Sequence, residues 1–295
     1  MTHRRVSLAR SIVAIPLLLA AALGCRAEKA PPRPAGNTTI LSFSAVEDAW
    51  VYSRGRGVIV AVVDWQFDED GRASDFYVSP ATMIPGERIG DLEPWHGSWM
   101  VDIVHAIAPE ASVMPIIGRS LRKGYAQALP AAIRYAADHG AAVVTSSMGP
   151  ARDSRELREA VEYARARSCV FVNVHPELVI GESGRTRYCR RGECSESIIH
   201  AGVVAVPAHP VKPDDARDIY VWPYDLDSVY RDGWGFSNGP PAVGGVIALM
   251  KGANPSLSPE AIKRLLIESG DMKDGFRVLN ARKAVAAAAR FSPAR

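Results

Sequence analysis

The chain has 295 residues, 47% of them hydrophobic and 23% charged, which is the balance of an ordinary globular protein. Its 35 basic and 32 acidic residues leave a surplus of three positive charges. Arg4, Arg5 and Arg10 account for that surplus, so the remainder is formally neutral and nothing in the charge argues for nucleic acid.

Those three arginines open a segment that reads as an export signal over residues 1–25. An unbroken apolar run over 12–23 follows them, too short to span a membrane. It ends in Ala22-Leu23-Gly24-Cys25, which resembles a bacterial lipoprotein box. There a small residue lets a signal peptidase cut and Cys25 takes the lipid. The product would be an exported envelope protein whose membrane contact is a lipid anchor. An ordinary secretory signal with an incidental cysteine would leave it periplasmic or secreted. Residues 26–45, with Pro31, Pro32, Pro34 and Gly36, have the composition of a tether. One domain is expected over 46–285, with a tail over 286–295.

Within the domain, residues 57–64 form an apolar run ending in Asp64 and predict a strand. Residues 96–108 have helical spacing, 112–117 read as a strand, and 124–139 are alanine-rich and helical, stopped by Gly140. A strand over 141–147, a charged amphipathic helix over 152–167, a strand over 170–174 and an extended stretch over 197–206 follow. Two helices close the domain, over 237–251 and 258–269, the second with Ser258 as N-cap and Pro259 at its first position. This alternation predicts an α/β fold of three αβα layers around a mostly parallel sheet.

Cys189 and Cys194 flank a short polar loop, and in an oxidising compartment that spacing suits a local disulfide. No second pair accompanies them, so no metal site is read. Cys169 opens an apolar run and reads as a buried small hydrophobe. His105 reads as a satisfied core or surface group and His139 as decoration of a helix end, while His200 and His209 have no nameable partner. Asp68, Glu69 and Asp70 lack a ligand pattern and read as a solvated loop. No cofactor is implied, and structural calcium is left open.

In sheets of this type, functional groups gather at the carboxyl ends of strands and at the helix starts beside them. Asp64 ends a strand, and His96 and Ser237 each open a helix. Their surroundings resemble the signature segments of the subtilisin-like serine proteases. His96-Gly97-Ser98-Trp99-Met100-Val101-Asp102 aligns without a gap to HGTHVAG, and Ala108-Pro109-Glu110-Ala111 resembles the APEA turn after that helix. The segment from Gly235 to Gly245 aligns without a gap to GTSMAAPHVAG, and Asp, His, Ser is the subtilisin order. Ser147-Met148-Gly149 resembles the strand end with which the family pairs substrate backbone, which makes Ser147 and Gly149 substrate-binding candidates.

The resemblance implies a subtilisin-like fold and a serine endopeptidase acting on peptide or protein substrates. Ser237 would be the nucleophile, His96 the general base and Asp64 the group that orients it. The start of the serine helix would add backbone N–H groups for the oxyanion. Several residues depart from the family. Trp65 and Gln66 follow the aspartate, Trp99 and Asp102 replace a His and a Gly, and Phe236 replaces a Thr. The family's oxyanion asparagine falls at His175 or Pro176, so His175 or Asn173 would have to supply that donor. The alternative reading is a subtilisin-like protein that has lost turnover and binds peptides or a partner in the envelope.

Overall fold

Strand β1 (Ile59–Asp64) is apolar at every position but the last, as befits a strand covered on both faces. Its side chains alternate. Val60 and Val62 enter one core with His96–Ile107 (α2), while Ala61 and Val63 enter another with Leu129–Asp138 (α3) and Arg155–Arg165 (α4). The computed structural model describes residues 41, 44–71, 73–91, 93, 96–120, 122, 128–149, 151–204, 216–222 and 235–292. Cys25, most of the expected tether and His209 lie outside the described residues.

Among the described residues, nine strands form one sheet in the order β10-β11-β9-β8-β5-β4-β1-β3-β2. They are β2 (Ala81–Thr82), β3 (Ser112–Ile117), β4 (Val143–Ser146), β5 (Val170–Asn173), β8 (Ile198–Val203), β9 (Ile219–Val221), β10 (Asp271–Lys273) and β11 (Phe276–Val278), together with β1. Every pairing is parallel except β10 with β11. The register aligns Ser146, Asn173 and His200 across adjacent strands, with Asp64 one step beyond that row.

Helix α5 (Gly239–Ala253) is buried from Gly239 to Lys251, as expected of a helix that is apolar all round. Two glycines let it lie so close. A Cβ on Gly244 would meet Thr145 Cγ2 at 2.4 Å, and one on Gly245 would meet Ile107 Cβ at 2.9 Å. Helices α6 (Pro259–Ser269) and α7 (Ala281–Arg290) complete that layer, and the Ser258 hydroxyl caps α6 by accepting from the Ala261 amide.

The expected elements are present with shifted edges. Helix α3 starts at Leu129, and 123–127 lie outside the described residues. The serine helix starts at Gly239, not at 237. Pro240 and Pro241 are compatible only with a first turn, so Phe236–Asn238 form a separate 3-10 turn ahead of it. Sequence periodicity misses the hairpin of β6 (Leu178–Ile180) and β7 (Thr186–Tyr188), as well as the short strands β9 to β11. Helix α7 buries Ala288, so packing extends beyond residue 285. At the other end, Ser44 is buried and its carbonyl accepts from the Ala281 amide at 2.7 Å, while Arg282 pairs with Asp48 of α1 (Val46–Ala49) at 3.6 Å.

Candidate active site

Asp64 is fully buried at the carboxyl end of β1. His96 opens α2 opposite it. The His96 Nδ1 lies 2.9 Å from both Asp64 carboxylate oxygens, and Asp64 Oδ1 also accepts from the Trp65 amide at 2.8 Å. The approach depends on Gly97. Its amide donates to the Gln66 carbonyl at 2.8 Å, and a Cβ there would sit 2.5 Å from that same oxygen and from Phe67. Only glycine lets the helix start so tightly against the loop leaving β1. The imidazole is then held on its faces. Trp65 stacks on it with centroids 4.0 Å apart, and Trp99 meets it edge-on at 5.6 Å. A carboxylate on Nδ1 fixes the tautomer, so the basic nitrogen is Nε2.

Ser237 lies in the 3-10 turn ahead of α5 and is partly exposed. The Ser147 hydroxyl donates to the Ser237 carbonyl at 2.7 Å, tying this turn to the end of β4. Ser147 therefore uses its side chain on the protein itself. Gly149 two residues on has φ of 99°, a left-handed value that favours glycine. Among the described residues, the Ser237 hydroxyl makes no hydrogen bond to the His96 ring. Such bonds commonly tighten only when substrate arrives.

The start of α5 offers fewer backbone donors than the sequence suggests. The Asn238 amide is bonded to the Gly235 carbonyl and the Gly239 amide to the Phe236 carbonyl. Pro240 and Pro241 have no N–H at all. The amide of Ser237 itself is not among these bonded groups.

The two side-chain oxyanion candidates have different surroundings. Asn173 is fully buried at the end of β5, and its Nδ2 donates to the His175 carbonyl at 2.9 Å. Strand alternation places it with Phe171, on the face covered by α3 and α4 rather than α5. His175 is half-buried, its ring 5.3 Å from that of Phe236, the residue before Ser237. The ring of Tyr188 of β7 lies 5.9 Å from the His175 ring as well.

Cys189 and Cys194 are joined in a disulfide that closes the end of the β6–β7 hairpin. Glu177 lies close to both sulfurs, but with the sulfurs bonded to each other the group is no ligand set. His200, without a nameable partner in the sequence, lies between two acids. Its Nε2 is 2.8 Å from Glu177 Oε2 and its Nδ1 3.3 Å from Asp218, which Lys263 also reaches at 3.1 Å. Burial lowers the His200 pKa, but the Asp218 and Glu177 contacts outweigh it and leave the ring above its ordinary value. Burial raises both acids, and the contacts to His200, joined by backbone amides and for Asp218 by the Lys263 charge, more than reverse that. Cys169 is buried, which pushes its thiol up to about 12 and makes it inert. His105 is half-buried against Phe76, and burial lowers its pKa.

No protein-family model matches the sequence, and no curated protein matches it. Solved structures do resemble it. One is fervidolysin from Fervidobacterium pennivorans, a keratinolytic enzyme related to subtilisin, with 18% identity and a TM-score of 0.63 over 81% of this chain. The match covers 44% of fervidolysin, so this chain spans less than half of that protein's length. A second is the MycP3 protease of the type VII (ESX-3) secretion system, with 18% identity, a TM-score of 0.67 and coverage of 87% of this chain and 90% of that one. A third is the serine protease MycP1, an essential component of the type VII (ESX-1) secretion system, with 14% identity, a TM-score of 0.64 and the same coverages. Together with the strand order and the helical layers on both faces of the sheet, these likenesses show that the chain has a divergent subtilisin-like fold.

Proposed function

We propose that the chain is a serine endopeptidase that cleaves peptide bonds through an acyl-enzyme on Ser237. His96 takes the serine proton on Nε2 and returns it to the leaving amine, and Asp64 holds the imidazole and stabilises it once charged. The observation that carries this reading is the buried Asp64–His96 contact at 2.9 Å, at the sheet edge where Ser147 anchors the turn of Ser237. A buried carboxylate on Nδ1, a base at a helix start and a serine ahead of the next helix support acyl transfer better than any separate structural role. The substrate would be a protein or peptide chain, lying against the end of β4 near Ser147 and Gly149.

A second reading has a specific observation behind it. The hydroxyl of Ser237 and the ring of His96 are not hydrogen-bonded, which suits a binding module that holds peptide without cutting it. The export signal and Cys25 support an envelope location in either case, with a lipid anchor if Cys25 is modified. The MycP likenesses, to proteases of secretion systems, agree with that location. Among the described residues, no helix is long and apolar enough to cross a membrane.

A fluorophosphonate probe separates the two. Labelling of the wild type that disappears in Ser237→Ala is the expected result. A wild type left unlabelled, at probe concentrations that saturate a control serine protease, overturns the peptidase reading in favour of the binding module.

A further inference from the structure

The loop after β5 carries an arrangement that nothing in the subtilisin-like motifs announces. Arg217 comes from the segment before β9 and is buried at 8% exposure. It reaches across β8 to this loop, and a Cβ on Gly202 would sit 2.4 Å from its Cδ, so the arginine crosses the strand only because residue 202 is glycine. Its Nη2 lies 2.8 Å from His175 Nδ1, and its Nε donates to the Val174 carbonyl at 3.4 Å. Its guanidinium stands 5.7 Å from the Phe236 ring. One cation therefore touches both the loop of His175 and the turn of Ser237.

The chemistry of that contact assigns a proton. A guanidinium donates and never accepts, so His175 Nδ1 is the acceptor and is unprotonated. The single ring proton then resides on Nε2, which makes His175 a neutral N–H donor. Asn173, by bonding the His175 carbonyl, fixes the backbone that carries the ring. Two of the amides at the start of the serine helix are bonded internally and Pro240 and Pro241 have none, which gives a side-chain donor a role to fill.

We propose that His175 is the oxyanion donor in place of the family's asparagine, and that Arg217 is the positioning residue that fixes its tautomer and place. This rests on the acyl-transfer reading of Ser237. In the first step the Ser237 Oγ–carbon bond forms, the carbonyl π pair moves onto oxygen and the hydroxyl proton passes to His96 Nε2. The new oxyanion accepts hydrogen bonds from the Ser237 amide and from His175 Nε2–H. No bond to His175 is broken, so it is not a general acid.

Two measurements test this on the full chain. The first is a long-range proton–nitrogen NMR spectrum of protein labelled with ¹⁵N-histidine. His175 in the wild type is expected to show the Nε2–H tautomer, and Arg217→Met to lose that single-tautomer signature. A wild-type proton on Nδ1 overturns the proposal. The second is the rate of fluorophosphonate labelling and of peptide-ester turnover. His175→Ala is expected to lose about 10²–10³-fold in kcat with little change in KM. Arg217→Met is expected to lose most of the same factor, the double variant no more than His175→Ala alone, and His175→Asn to recover part of it. Additive losses, or full rates in His175→Ala, overturn the proposal. Should Arg217→Met fail to fold by circular dichroism, the half-buried His175 variants still decide. A wild type that never labels removes the oxyanion role along with the peptidase reading, whereas the NMR spectrum reports on the Arg217–His175 contact either way.

Discussion

At the scale of single residues, the molecule holds two imidazoles in opposite circumstances. His96 has one acid and two indole rings around it at the carboxyl end of the sheet. His200 is sealed between Glu177 and Asp218, with Lys263 as a further neighbour and the disulfide against Glu177. The second arrangement makes stability depend on pH. The His200 imidazolium contributes fully below its ordinary 6.5, and that contribution disappears as pH rises through the raised folded-state value. The carboxylates contribute fully above their ordinary 4.5 and 3.8, and lose it as pH falls through their lowered values. Melting temperature is therefore expected to peak between about 4.5 and 6.5 and to fall on both sides. His200→Gln should abolish the alkaline decline and cost about 3–5 kcal/mol at the peak, because it leaves two acids facing each other. A melting profile with the same alkaline limb in that variant would assign the dependence elsewhere. Asp64 and His96 were legible in the sequence because each ends or begins an element in a recognisable context. Arg217 and His200 were not, since their partners come from β8, the segment before β9 and the loop after β5, which only the folded sheet brings together.

At the scale of elements, the parallel strands and their covering helices follow directly from apolar runs and helical spacing. The hairpin β6–β7 escapes that logic. With three residues per strand and an exposed Ile180, it has too few positions to display alternation. It is held by its antiparallel pairing, and the Cys189–Cys194 bond, which the spacing suggests, closes the loop that follows β7. That bond closes a separation of five residues, and a loop so small is stabilised by roughly 2 kcal/mol. A reductant, or Cys189→Ser with Cys194→Ser, is expected to lower the unfolding free energy measured by denaturant titration by that amount. Because Tyr188 packs on His175 beside the cysteine, the same treatment should also slow labelling of Ser237. An unchanged labelling rate would show that the hairpin does not support the loop. The serine helix offers the converse lesson: Pro240 and Pro241 already dictated a start at Gly239, and the resemblance to the family pattern hid it.

For the whole molecule, the start of the described body packs against the start of its last helix. Residue 44 touches residue 281 through a backbone hydrogen bond, and Asp48 pairs with Arg282. Chain connectivity and three-dimensional architecture are thus separable here. A gene reordered so that a glycine–serine bridge long enough to run back along α7 links residue 292 to residue 44, with new termini opened at Gly184 in the hairpin turn, should yield a protein with the same circular dichroism and the same fluorophosphonate labelling as the unpermuted chain. Aggregation of that permutant, with the unpermuted 44–292 segment soluble, would mean that the hairpin must be continuous for folding to succeed. If the rearranged protein works, the body needs the packing of residues 44–49 on α7 but not their place at the head of the domain, which leaves the expected tether no duty except reach.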